Sequence, residues 1–125
     1  GRFAGTYKPY HLIGMELGIS IYSAALRGEA TGFPNAFRGD PVAVAKRDLA
    51  PGDRLDGEGG FTVWGKLIPA RRSIELDALP IGLAKDVKVT TAVPAGQIVR
   101  MSDVVLNQPE EVLELRHETA QLVAD

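Results

Sequence analysis

The residues of this chain best suited to chemistry stand together near its start. Tyr7, Lys8, Tyr10 and His11 precede a segment with helical spacing, and Glu16 follows His11 by a turn and a half. A histidine, a lysine and aromatic rings at a loop-to-helix junction can line a polar pocket for an anionic or sugar-like substrate. The plainer reading, which these residues alone favour, is that His11 caps or packs the start of the helix. The other histidine, His117, follows Glu114 by three on a helical stretch and reads as a solvated side chain. Two histidines on different helices are a weak metal signal, and no metal site is expected.

The remaining candidates read as surface or turn. Asp48, Asp53, Asp56 and Glu58 are interleaved with Lys46, Arg47 and Arg54. Mixed signs this close fit a solvated hairpin edge better than a paired-carboxylate catalytic site. Arg71-Arg72 can meet a phosphate or carboxylate but fits plain surface as well. No serine sits in a G-x-S-x-G setting, and cysteine is absent, which removes thiol chemistry and disulfides. The cluster Gly57-Glu58-Gly59-Gly60 has no helix behind it to aim at phosphate, so this chain holds no dinucleotide-binding fingerprint of its own. Trp64, beside Gly65 in a strand-like run, is expected in the core.

The elements that must position these residues are organised around a repeated turn. Leu49, Gly52 and Leu55 recur as Val93, Gly96 and Val99 at one constant offset, around Ala50-Pro51-Gly52 and Pro94-Ala95-Gly96. Proline presets φ and glycine accepts a positive φ, so both copies ask for the same reversal, and the matched apolar positions predict a small duplicated β unit. Before it, Leu12, Ile13, Leu17, Ile21, Ala24 and Ala25 form a helical stripe from His11 to Arg27, with Gly28 at the stop and Gly14 and Gly18 suited to a close approach. Residues 28–41 read as a linker. Val42–Ala45 and Phe61–Ile68 read as strands, Asp53–Gly60 as loop, and Ile74–Leu79 as a short helix or irregular crossing. Val87 and Val89 alternate into a further strand, and Val104–Leu106 closes the sheet. Pro109, with Asn107 as a candidate cap, opens a last helix whose buried side is marked by Val112, Leu115, Leu122 and Val123. The fold class expected is mainly β (α+β), with a helix at each end.

The 125 residues carry 14 basic and 16 acidic side chains, a net charge of −2, which argues against a general nucleic-acid binder or an anionic-membrane binder. No apolar run approaches the roughly 20 residues that span a bilayer. No signal peptide is visible, and a cytoplasmic location is expected. The chain opens on Gly1 rather than Met, and the expectation is a fragment of a longer protein.

With these residues in view, VAVAKRDLAPGDRLDG and KVTTAVPAGQIVRMSDVVL resemble the two hallmark segments of SAF domains. SAF domains are the β-clip module shared by type III antifreeze proteins, sialic acid synthases, altronate dehydratases and a flagellar P-ring chaperone. GGFTVWGKL and ALPIGL resemble the segments between them. TYKPYHLIGMELGISIYSAALRGEATG is similar to the stretch before the SAF module in homoserine dehydrogenase-like oxidoreductases, among them deoxyxylulose-phosphate reductoisomerase-like enzymes. The resemblance implies a SAF-type β-clip over residues 41–107. Residues 1–40 would be a helical segment and linker from the end of a catalytic domain, and 108–125 a C-terminal helix. It implies NAD(P) in the parent protein, held by an upstream Rossmann domain, with no cofactor and no catalytic residue in this chain. Lys8, Tyr10 and His11 would emerge from the catalytic domain and face the substrate.

Three functions follow as expectations. One is the C-terminal domain of an NAD(P)-dependent oxidoreductase, acting in assembly or in closing the substrate site. The alternative is a free-standing SAF module that binds a sugar acid or a partner protein. A homo-oligomer, paired through the first helix, is expected and is compatible with the first reading.

Overall fold

The computed structural model describes Gly5, residues 7–32 and residues 36–123, and falls into two compact units, Gly1–Pro34 and Asn35–Asp125. In the first unit, helix α1 (Ile13–Tyr22) runs into one π-helical turn, Ser23–Arg27, and stops at Gly28. Gly28 takes a left-handed φ of 64° while its N–H still reaches Ala24 O at 3.2 Å, the C-terminal stop that its sequence position implies. The helix starts two residues later than its stripe suggests. Ile13, Met15, Leu17, Ile19 and Ile21 are all exposed. A Cβ added at Gly14 meets nothing within 4 Å, so the close approach expected there is not made by the described residues.

The second unit is α+β. Strand β1 (Gly39–Ala45) pairs antiparallel with β3 (Val63–Pro69), in register from Gly39↔Pro69 to Ala45↔Val63. A three-stranded antiparallel sheet has the order β2 (Arg54–Asp56), β4 (Lys85–Val89), β5 (Val104–Val105). Helix α2 (Ala70–Glu75) and two 3₁₀ turns, Ile81–Leu83 and Met101–Asp103, make the crossings, and α3 (Glu110–Gln121) follows Pro109.

The repeated turns are joined by a near-two-fold arrangement of backbone hydrogen bonds. Leu49 and Val93 bond each other reciprocally, N to O, at 2.9 and 3.0 Å. Gly52 N donates to Val89 O at 2.8 Å, and its counterpart Gly96 N donates to Ala45 O at 2.8 Å. Val89 N donates to Asp53 O, and the counterpart Ala45 N to Gln97 O. Gly52 and Gly96 have φ of 98° and 80°, the conformation glycine alone adopts without steric cost. The residues that flank the turns, Leu49, Leu55, Val93 and Val99, are buried together with Val87 and Val89 in one apolar core. Two short hairpins thus lie across each other, each supplying what the other needs for its backbone and its core.

Several expectations need correction. Trp64 is 44% exposed, because Val63 is the β3 residue turned into the core and side chains alternate along a strand. Arg54–Asp56, read as loop, is strand β2, and the short helix runs over Ala70–Glu75, earlier than expected. Val112, Leu115 and Leu122 are exposed, whereas Leu113 packs against the core and Arg116 points the same way. Asn107 does not cap α3; its side-chain amide donates to Asp86 O at 3.1 Å.

Candidate functional site

The three residues singled out at the head of α1 are brought together by Glu16. Lys8 Nζ pairs with Glu16 Oε1, His11 Nδ1 with Oε2, and the Lys8 ammonium lies 5.4 Å from the centre of the Tyr10 ring. Glu16 Oε1 also accepts the Leu12 N–H, at 3.4 Å. A carboxylate in the first turn of a helix suits the dipole, and here it also draws the Lys8 and His11 side chains onto one patch. Among the described residues no N-cap side chain bonds the first turn of this helix, and His11 is held by Glu16. Tyr7, Tyr10 and His11 are exposed, so the group offers a charged patch with no concave wall among the described residues. It can meet an anion only where a second surface closes over it.

The acidic residues of the first turn are occupied with backbone. Because the proline is shifted by one position between the two turns, Ala50 and Ala95 each keep an N–H that its counterpart, a proline, lacks. Asp53 Oδ2 accepts the Ala50 N–H at 3.1 Å, and Asp48 Oδ1 accepts the Ala95 N–H at 2.8 Å. Arg47 Nη1 adds a 2.9 Å ion pair to Asp53. The bond from Ala50 N–H, and then that from Arg47, holds the Asp53 carboxyl below the usual carboxylate range. Asp56 accepts the Thr62 hydroxyl and the N–H groups of Phe61 and Thr62, which pull its pKa from the ordinary 3.8 down to about 2. These carboxylates stabilise turns; they are not paired for acid–base work. The Gly57–Gly60 stretch is closed by the same Asp56 contacts, with Gly57 and Gly59 at φ of 79° and 78°.

The site that the sequence reading missed lies where α3 crosses the start of β1. Asp40 is 3% exposed and Ser73 fully buried. Ser73 Oγ donates to Asp40 Oδ2, and Arg116 Nη2 reaches the same oxygen at 2.6 Å and Ser73 Oγ at 3.3 Å. The Phe37 ring covers the guanidinium at 5.1 Å. Beside this group opens a cleft of about 200 Å³ lined by Ser73, Ile74, Asp77, Ala78, Met101, Arg116, His117 and Ala120. Ser73 gives no sequence signal, since its neighbours resemble no nucleophile motif, and Arg116 looks like an ordinary helix-surface residue. The one available hint was the spacing Leu113, Arg116, Ala120, which puts all three on one helical face.

No protein-family model matches the chain, and no curated protein matches it either.

Among the described residues, no group of three His, Asp or Glu side chains is placed to hold a metal ion. No described helix is long and apolar enough to cross a membrane.

Proposed function

We propose that this chain is the C-terminal part of an NAD(P)-dependent, homoserine dehydrogenase-like oxidoreductase. It would be built on a SAF-type β-clip and act in assembly or in closing the substrate site. The observation that carries this reading is the joining of Lys8, His11 and Tyr10 around Glu16 at the head of a helix whose apolar side chains are exposed. Such a patch is half of a pocket, and such a helix is built to be covered. The near-two-fold pairing of Leu49 with Val93 supports the clip. The nucleotide would belong to an upstream Rossmann domain, since the Gly57–Gly60 cluster has no helix directly behind it to face a phosphate. The protein would be cytoplasmic, and its further partners would be the upstream catalytic domain and other copies of itself.

Reading the gene upstream of the codon for Gly1 tests the proposal. The expected result is a continuous frame that carries G-x-G-x-x-G after a strand. A start codon directly before Gly1 overturns it, as does binding of NAD or NADP by this chain alone in a calorimeter. The second reading, a free-standing SAF module that binds a sugar acid or a partner protein, draws on the Arg116 cleft, since a guanidinium suits a carboxylate.

A further inference from the structure

We propose that the cleft between α2 and α3 binds a small α-amino acid with an apolar side chain. The inference stands apart from the parent enzyme proposed above and needs none of its domains. Arg116 is already held in place: Nη2 is committed to Asp40 and Ser73, while Nη1 and Nε have no partner among the described residues. A guanidinium fixed on one side presents its other donors without further loss of freedom, the arrangement that suits a carboxylate. Asp40 cancels the charge of Arg116, so the attraction rests on directed hydrogen bonds rather than on excess positive charge.

Asp77 supplies the second requirement. It lines the same cleft, and its carboxylate makes no hydrogen bond or ion pair among the described residues. Its backbone is fixed at a φ of 52°, with N–H bonded to Ile74 O at 3.0 Å and O accepting Met101 N–H at 2.8 Å. A lone carboxylate lining the same cleft as a half-used guanidinium disfavours a simple anion and matches a zwitterion, whose ammonium Asp77 can accept. Ile74, Ala78, Met101 and Ala120 make the rest of the wall apolar. At about 200 Å³ the space is below the roughly 300–1,000 Å³ of cofactor-sized pockets, which fits a ligand of a few heavy atoms and excludes a dinucleotide. His117, exposed on α3, also lines the cleft.

The test is an NMR titration of the full chain with L-leucine. The same titration is run with isopentylamine and isocaproate, which lack its carboxylate and its amine in turn, and with gluconate as a sugar acid. The expected result is saturable shifts at residues 73–78, 101 and 116–120 with leucine, at least about tenfold stronger than with either truncated probe. Asp77→Asn keeps a residue type that tolerates positive φ. It should weaken leucine by about tenfold while leaving isocaproate no weaker than before. No saturable shift, shifts that map elsewhere, gluconate bound more tightly than leucine, or unchanged leucine affinity in Asp77→Asn would each overturn the proposal.

Discussion

Leu49 and Val93 exchange both of their backbone hydrogen bonds, at 2.9 and 3.0 Å, so two positions equivalent in the repeat are each other's partners. The pair lies on the local two-fold of the turns, and both side chains enter the core at 2% and 4% exposure. Leu49→Ala should cost about 2–5 kcal/mol, the range for a buried leucine that leaves a cavity. Combined with Val93→Ala it should depart from additivity by about 0.5–3 kcal/mol, since the two share contacts. Leu67→Ala, on an exposed site, should stay within about 0.5 kcal/mol of the parent. Urea unfolding of the parent, the two single core variants, their double variant and Leu67→Ala reads all of these.

The glycines separate two causes of strain. A Cβ at Gly52 or Gly96 meets nothing within 4 Å, so Gly52→Ala and Gly96→Ala should each lose about 1–2 kcal/mol through positive φ alone. Gly60 differs: its added Cβ would run into the Asp56 carboxylate, which is tied to Phe61 and Thr62. Gly60→Ala should therefore cost more in the parent than in an Asp56→Ala background. Equal costs in both backgrounds would remove this account.

Acid sensitivity should report the Asp56 loop. The folded pKa lies below the ordinary 3.8, so its contribution is complete above that value and disappears as pH falls through about 2. Asp53 shifts in the same direction and acts in the same acid window. Denaturant midpoints of the parent and Asp56→Asn should differ at neutral pH and converge over this interval. A constant difference would show that the carboxylate's charge is not involved.

Arg116 ties α3 to the sheet through a carboxylate that pairs with no other cation among the described residues. Arg116→Met leaves Asp40 buried and unpaired and should cost about 2–4 kcal/mol, discounted from the range of about 3–5 for a fully buried pair because Arg116 keeps some solvent contact. Asp40→Asn together with Arg116→Met should recover part of that loss. Circular dichroism melts of the single and double variants measure it.

The apolar surface of α1 should make itself felt in solution. If other copies cover it, light scattering gives a mass above one chain, and Leu17→Ser with Ile21→Ser, both at exposed positions, returns it to one chain. A parent protein that is monomeric at all concentrations removes the oligomer from the proposed function.

Much of the fold was legible because its signals are local. Gly52, Gly96 and Gly28 stand where the backbone needs positive φ, and Val87 and Val89 alternate as a half-buried strand does. The convergence of Lys8 and His11 on Glu16 was partly readable from helical spacing. Trp64 was not readable, because burial on an edge strand depends on which face finds a partner. Nor was α3: a charged residue, Arg116, holds an inward position, and an apolar stripe cannot reveal that.

The amino-acid order alone determined where the chain turns and which short segments extend, since φ preferences and side-chain alternation act over a few residues. Only the tertiary structure decided that Leu49 meets Val93, and that Asp40, Ser73 and Arg116 assemble beside a cleft. Those contacts join residues far apart in the chain, and a buried charge is tolerated only where the folded backbone brings its partner to it.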